Sequence, residues 1–240
     1  MDIQAIIFDK DGTLMKFDSF WVDVSRCAIR DILRQLNRDD IPMSRLLEAL
    51  GISGDTADID GLLCKGTYEQ IALAIGEILR KFGVDFSNMD IVKMTVSAYN
   101  DNADSGKIEP ACANIRGMLE KLKNSGKKLA VVTTDDSQIT HKCLEKLGIE
   151  DLFEKIYTDD GINPIKPNPG CALEFLSEFR IPAEKAVMVG DTMTDIRFAR
   201  NAGISVIGVG EIANSRERLM PHADAVIPDI SHLFDVIEEG

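Results

Sequence analysis

Cationic side chains are in short supply in this 240-residue chain. There are 27 Lys and Arg against 40 Asp and Glu, for a formal net charge of −13. A phosphate backbone is repelled by such a protein, so nucleic acid is not an expected partner. A small anionic ligand stays admissible, because a metal ion and a few lysines invert the potential locally. Long apolar runs are missing too: no segment approaches the roughly 20 residues of a membrane span, and no membrane partner is expected. The five cysteines, Cys27, Cys64, Cys112, Cys143 and Cys171, are odd in number, far apart and without a C-x-x-C pair. That is the pattern of reduced, structural thiols. His141, His222 and His232 have no metal-ligand spacing. The opening residues carry no basic, apolar targeting segment, and the cytoplasm is the expected location.

Hydrophobic residues make up 45% of the chain, enough for one large domain or two modest ones. Residues 3–8 read as a strand. From residue 18 the apolar spacing becomes helical, and residues 18–102 hold four helices and no convincing strand. They are expected near 19–36, 42–52, 65–84 (capped by Thr67) and 88–103. After residue 103 strands and helices alternate: helix 111–126, strand 127–134, helix 137–148, strand 153–158, helix 170–179, strand 186–191, helix 194–203, strand 205–210, strand 225–229 and helix 231–239. Such alternation predicts an α/β, doubly wound parallel sheet. Its core is expected over 1–17 and 103–240, with the all-helical stretch 18–102 inserted after the first strand.

The apolar run Ile6-Ile7-Phe8 ends in "DKDGT", two carboxylates one residue apart before a Gly turn. Close carboxylates repel unless a cation or a shared proton relieves them, and the carboxyl edge of an open α/β sheet is where ligands bind. Three other segments at strand ends or in the loops after them carry polar groups suited to the same crevice. They are Thr133-Thr134 after "LAVV", Lys166 in "PIKPNP", and Asp191 with Asp195 in "VGDTMTDI". Four carboxylates, a hydroxyl and an ammonium together suit Mg²⁺ and a phosphate, since Mg²⁺ takes hard oxygen ligands.

This set, in this order over almost the whole chain, resembles the haloacid dehalogenase superfamily of phosphohydrolases, and within it the phosphoglycolate-phosphatase-like enzymes. The helical insertion resembles their first-type cap, on a Rossmann-like core. The resemblance implies a Mg²⁺-dependent phosphatase acting on a small phosphorylated substrate. Asp9 is then the nucleophile and Asp11 the general acid and base. The Asp9 carboxylate, the Asp11 main-chain carbonyl and Asp191 hold Mg²⁺, and Asp195 supports the metal's surroundings or orients Lys166. Thr133 and the main-chain N–H of Thr134, where many relatives have Asn, bind the phosphoryl group. Lys166 offsets charge on Asp9 and phosphate. A sugar phosphomutase on the same scaffold, or a phospho-accepting protein without turnover, are the alternatives.

Other residues carry competing readings. Lys10, where many relatives have an apolar residue, reaches toward cap or substrate, or is solvated or locally paired. Asp135 and Asp136 are expected to cap the helix from Ser137, and Trp21 to pack inside the helical segment. Lys65 and Thr67 either form a substrate-selecting loop or an ordinary helix start.

Overall fold

The computed structural model describes residues 2–159, 166–210 and 213–237. From the N-terminus, β1 (Ala5–Phe8) is followed by α1 (Phe17–Gln35), α2 (Met43–Ala49), β2 (Ile52–Ser53), β3 (Thr56–Ala57), α3 (Leu62–Lys65), α4 (Tyr68–Lys81) and α5 (Asn88–Asp101). Then come α6 (Ile115–Asn124), β4 (Lys128–Asp136), α7 (Ser137–Lys146), β5 (Lys155–Asp159), α8 (Gly170–Phe179), β6 (Ala186–Gly190), α9 (Met193–Ala202), β7 (Ser205–Val209), α10 (Ala213–Leu219), β8 (Ala225–Ile227) and α11 (Leu233–Ile237). The chain divides into two compact units, one of residues 1–16 and 108–240, the other of residues 17–107. Among the described residues no helix is long and apolar enough to cross a membrane.

The first unit is a six-stranded parallel sheet in the order β5-β4-β1-β6-β7-β8. Parallel strands covered on both faces need apolar residues at every position, and all four residues of β1 are buried. Alternation then sorts them: Ile6 and Phe8 pack with Leu119, Leu122, Leu144 and Leu233, while Ala5 and Ile7 pack with Phe175, Phe198 and Ala199 on the other face. From β1 the chain order runs outward through β4 to β5, then returns to the opposite side of β1 for β6. The carboxyl end of β1 is therefore the switch point, where an open α/β sheet leaves a crevice.

The second unit is mostly helical. Its helices bury Phe20, Trp21, Ile29, Ile75, Leu79 and Ile91, and Tyr99 donates from its hydroxyl to Ser25 Oγ at 3.0 Å inside that core. Trp21 is buried and stacks edge-on against Phe20. Thr67 caps α4 in a capping box with Gln70, an ordinary helix start, and Lys65 pairs with Asp60.

Three expectations are corrected. Residues 18–102 do contain strands: β2 and β3 form a small antiparallel hairpin turned at Gly54, which has φ +56°, after Gly51 at φ +84° ends the preceding helical stretch. The helix after Pro110 begins only at Ile115, because main chain just before it is committed elsewhere. Lys16 N–H donates to Glu109 O, and Ala111 N–H to Leu14 O. Residues 103–107 group with the helical unit rather than the sheet unit, with Lys107 N–H donating to Ser19 O. The last two residues of the helix expected over 231–239, and Pro164-Ile165 of "PIKPNP", lie outside the described residues.

Candidate active site

β1 delivers Asp9 directly after its last residue, where Asp9 N–H still donates to Val189 O of β6 at 2.9 Å. β6 ends at Gly190 and delivers Asp191; α9 starts two residues on and delivers Asp195 from its first turn. Lys166 reaches in from the loop before α8. It donates to Asp9 Oδ1 at 2.5 Å and to Asp195 Oδ1 at 2.6 Å, and its side chain is only 3% exposed. Asp195 is fully buried and doubly held: its other oxygen accepts from Thr192 N–H at 2.9 Å and Thr192 Oγ1 at 2.7 Å, in a capping box that opens α9. The sequence motifs from β1, the Lys166 loop and β6 thus meet at one point, with Asp195 against Lys166.

Ligand oxygens of Asp9, Asp191 and Asp195 lie within 4.8 Å of one another. Three carboxylates face one ammonium, which leaves an excess of negative charge in a buried place. Burial first, with Asp195 and Asp11 adding and Lys166 opposing, pushes the Asp9 carboxyl up to about 6. Burial and the charges of Asp9 and Asp195 hold Asp191 well above the usual carboxylate range. Lys166 sits above its ordinary value, because the two carboxylates outweigh burial. Asp191 Oδ1 is buried with no hydrogen-bond partner, and such an atom is costly without a donor or cation. Asp195 has both oxygens engaged by protein donors. Asp9 and Asp191 are therefore the carboxylates suited to a divalent cation, and hard oxygen donors in a confined site fit Mg²⁺.

The glycines fit this crowding. Gly12 has φ +76°, and a methyl group there would overlap the Asp191 carboxylate. Gly12→Ala will cost about 1–2 kcal/mol in backbone strain alone and displace Asp191. Thermal melting with and without Mg²⁺ checks this: the variant should melt lower and gain less from Mg²⁺ than the parent chain, and an equal gain would contradict the placement of Asp191.

The phosphate-binding candidates come from a bulge in β4 between Val132 and Asp136, a device that re-aims side chains beside sites. Thr133 is buried, and its Oγ1 accepts from Asp135 N–H at 3.2 Å, so its own proton can be donated elsewhere. Thr134 is exposed. Asp11 is held by a different ammonium from the one at Asp9. Its Oδ2 pairs with Lys10 Nζ at 2.6 Å, and the same ammonium pairs with Asp135 Oδ2 at 2.8 Å. Lys10 is wholly buried, so the paired reading of this residue holds and the solvated one does not. Asp136 does cap α7, with Oδ1 accepting from Ile139 N–H at 3.1 Å; Asp135 does not, and is spent on Lys10 instead. Sequence reasoning had the types but not this partnership, which joins the ends of two strands far apart in the chain.

A family model described as haloacid dehalogenase-like hydrolase matches residues 65–209, well over half of the chain. A curated phosphoglycolate phosphatase of Psychrobacter arcticus is 29% identical over 209 residues, covering 87% of this chain and 84% of the relative. Among solved structures, one described as a predicted phosphoglycolate phosphatase from Haemophilus somnus superposes with a TM-score of 0.73 at 22% identity, covering 98% of both chains. The HAD-hydrolase YfnB from Bacillus subtilis, described as bound to magnesium, superposes with a TM-score of 0.67 at 15% identity, covering 98% of this chain and 99% of that one. At these identities the two structural likenesses show the fold.

Proposed function

The chain belongs to the haloacid dehalogenase-like hydrolases, and from that premise we propose that it is a Mg²⁺-dependent phosphatase of a small phosphorylated metabolite, working through a phosphoryl group carried on Asp9. The observation that carries this reading is the buried Asp9 carboxylate, held by Lys166 at 2.5 Å at the switch point of the sheet, beside an Asp191 oxygen with no partner. The name of the Psychrobacter relative supports a small phosphomonoester as the substrate class.

In the first step an Asp9 oxygen attacks phosphorus and the bond from phosphorus to the leaving oxygen breaks. Asp11 gives that oxygen a proton and departs the step as a carboxylate. In the second step Asp11 takes a proton from water, the water oxygen attacks phosphorus, and Asp9 leaves with its electron pair. Thr133 donates its hydroxyl to a phosphoryl oxygen, with the main-chain N–H of Thr134 beside it. Lys166 holds Asp9 in place and offsets charge that grows on the phosphoryl oxygens. The Asp9 and Asp191 carboxylates and the Asp11 main-chain carbonyl are the groups that would hold Mg²⁺, which when bound neutralises the repulsion between a carboxylate and a phosphate dianion.

The test is phosphate release from an aryl phosphate and from a panel of small phosphomonoesters, phosphoglycolate among them, by protein stripped of metal. Activity should be at background in excess chelator and return with Mg²⁺. Full activity in chelator would overturn the metal assignment. A hexose phosphate converted to its isomer without free phosphate would replace the phosphatase reading with the phosphomutase one.

A further inference from the structure

Between the two aspartates of "DKDGT" stands a lysine with no exposed surface. Its ammonium meets Asp11 Oδ2 at 2.6 Å and Asp135 Oδ2 at 2.8 Å, with Met15 Sδ at 3.7 Å. The turn is wrapped around this residue: Leu14 and Met15 N–H donate to Lys10 O at 2.9 and 3.1 Å, and Gly12 N–H donates to Met15 O at 2.8 Å. A buried ammonium is expensive unless it is paired, and an apolar residue would fill the same space without that cost. We propose that Lys10 and Asp135 are positioning residues that hold the Asp11 carboxyl group by its Oδ2, so that its other oxygen carries the proton to the leaving-group oxygen.

Three connections support this beyond the ion pair itself. Asp135 lies in the β4 bulge, so its place is set by the sheet rather than by a free loop. Its main-chain N–H donates to Thr133 Oγ1, so one residue fixes both the phosphate-binding hydroxyl and, through Lys10, the acid. Asp11 stands just before the turn at Gly12, where the backbone has φ +76°, and its main chain bridges to Met15, so the turn fixes the Asp11 backbone and the ammonium fixes its carboxyl group. An unrestrained carboxylate visits several rotamers, and a misplacement of about 1 Å in a reacting group costs on the order of 10²-fold in rate. The Lys10 ammonium removes that freedom without touching the substrate.

The inference rests on the role given to Asp11 above, and the experiment separates the two. Leaving-group release in a single turnover is measured for an alkyl and an aryl phosphate in wild type, Lys10→Met, Asp11→Asn and the double variant. Lys10→Met should lose roughly 10–100-fold with the alkyl phosphate and much less with the aryl phosphate, whose leaving group needs little protonation. Substrate KM should stay near wild type. In the double variant the lysine change should add nothing to the loss caused by Asp11→Asn, since there is no acid left to position. Asp135→Asn keeps the size of the side chain and should show the same leaving-group pattern, which serves if Lys10→Met does not fold. Equal losses for both leaving groups, or losses that multiply in the double variant, would make Lys10 a purely structural residue and overturn the inference. An Asp11→Asn variant with no leaving-group dependence would instead overturn the acid role itself, and this proposal with it.

Discussion

Asp9→Asn will reduce turnover to background, a loss on the order of 10⁶ as seen when a nucleophile is removed, while Asp11→Asn will lose roughly 10²–10⁴ with an alkyl phosphate. The two residues are two positions apart, yet the structure puts their side chains in different company. Asp9 points into the Lys166 and Asp195 group, and Asp11 into the Lys10 and Asp135 group. Asparagine at position 9 keeps the shape but cannot attack phosphorus. At position 11 it keeps the main-chain carbonyl assigned to Mg²⁺, so metal binding should largely survive. Steady-state phosphate release and Mg²⁺ titration of both variants check this. Equal Mg²⁺-dependent rates in Asp11→Asn and wild type would show that the jobs have been wrongly divided.

Lys166→Met has the second large effect, and it falls on stability as well as rate. The ammonium is 3% exposed and touches two buried carboxylates. Removing one partner of a buried ion pair leaves uncompensated charge, typically costing about 3–5 kcal/mol. For a chain of this size that corresponds to a fall in melting temperature of roughly 6–20 °C. The rate should fall by about 10²–10³, the usual loss when one charge-stabilising donor is taken from a site. The sign with pH follows from Asp9, whose carboxyl is already pushed up to about 6 with Lys166 opposing the rise. Without the lysine it rises further, so the folded protein gains from taking up a proton as pH falls, and the stability deficit narrows toward acid. Melting curves from neutral to mildly acidic pH read this directly. A deficit that widens toward acid, or none at neutral pH, would contradict the charge balance described for the site.

Much of the fold could be read from the chain because its parallel strands are buried on both faces. β1 and β6 stand out as short apolar runs, and α8 shows its apolar spacing from first residue to last. What escaped was short or depended on distant main chain. The β2–β3 hairpin pairs only two residues on each side and takes its shape from Gly54. The start of α6 is delayed by backbone pairing with residues 14–16, which no local pattern reveals. The seven residues of α10 lack an apolar stripe long enough to announce a helix. The candidate site divides in the same way. Asp9, Lys166, Asp191 and Asp195 lie in segments whose spacing points to a common sheet edge, and the structure brings them together. Asp135 looked like a second helix cap beside Asp136; only the β4 bulge turns it toward Lys10, and a tertiary ion pair has no sequence period.

Everything proposed for the site turns on Asp9 carrying the phosphoryl group between two chemical steps. The most direct measurement is a rapid-quench reaction of wild-type protein with an aryl phosphate and Mg²⁺, stopped in acid, followed by mass analysis of the peptide that contains Asp9. A burst of leaving group should run ahead of free phosphate, with a phosphoryl adduct on Asp9 that is missing from Asp9→Asn. Release of leaving group and phosphate in step, with no burst and no adduct on Asp9, would contradict it.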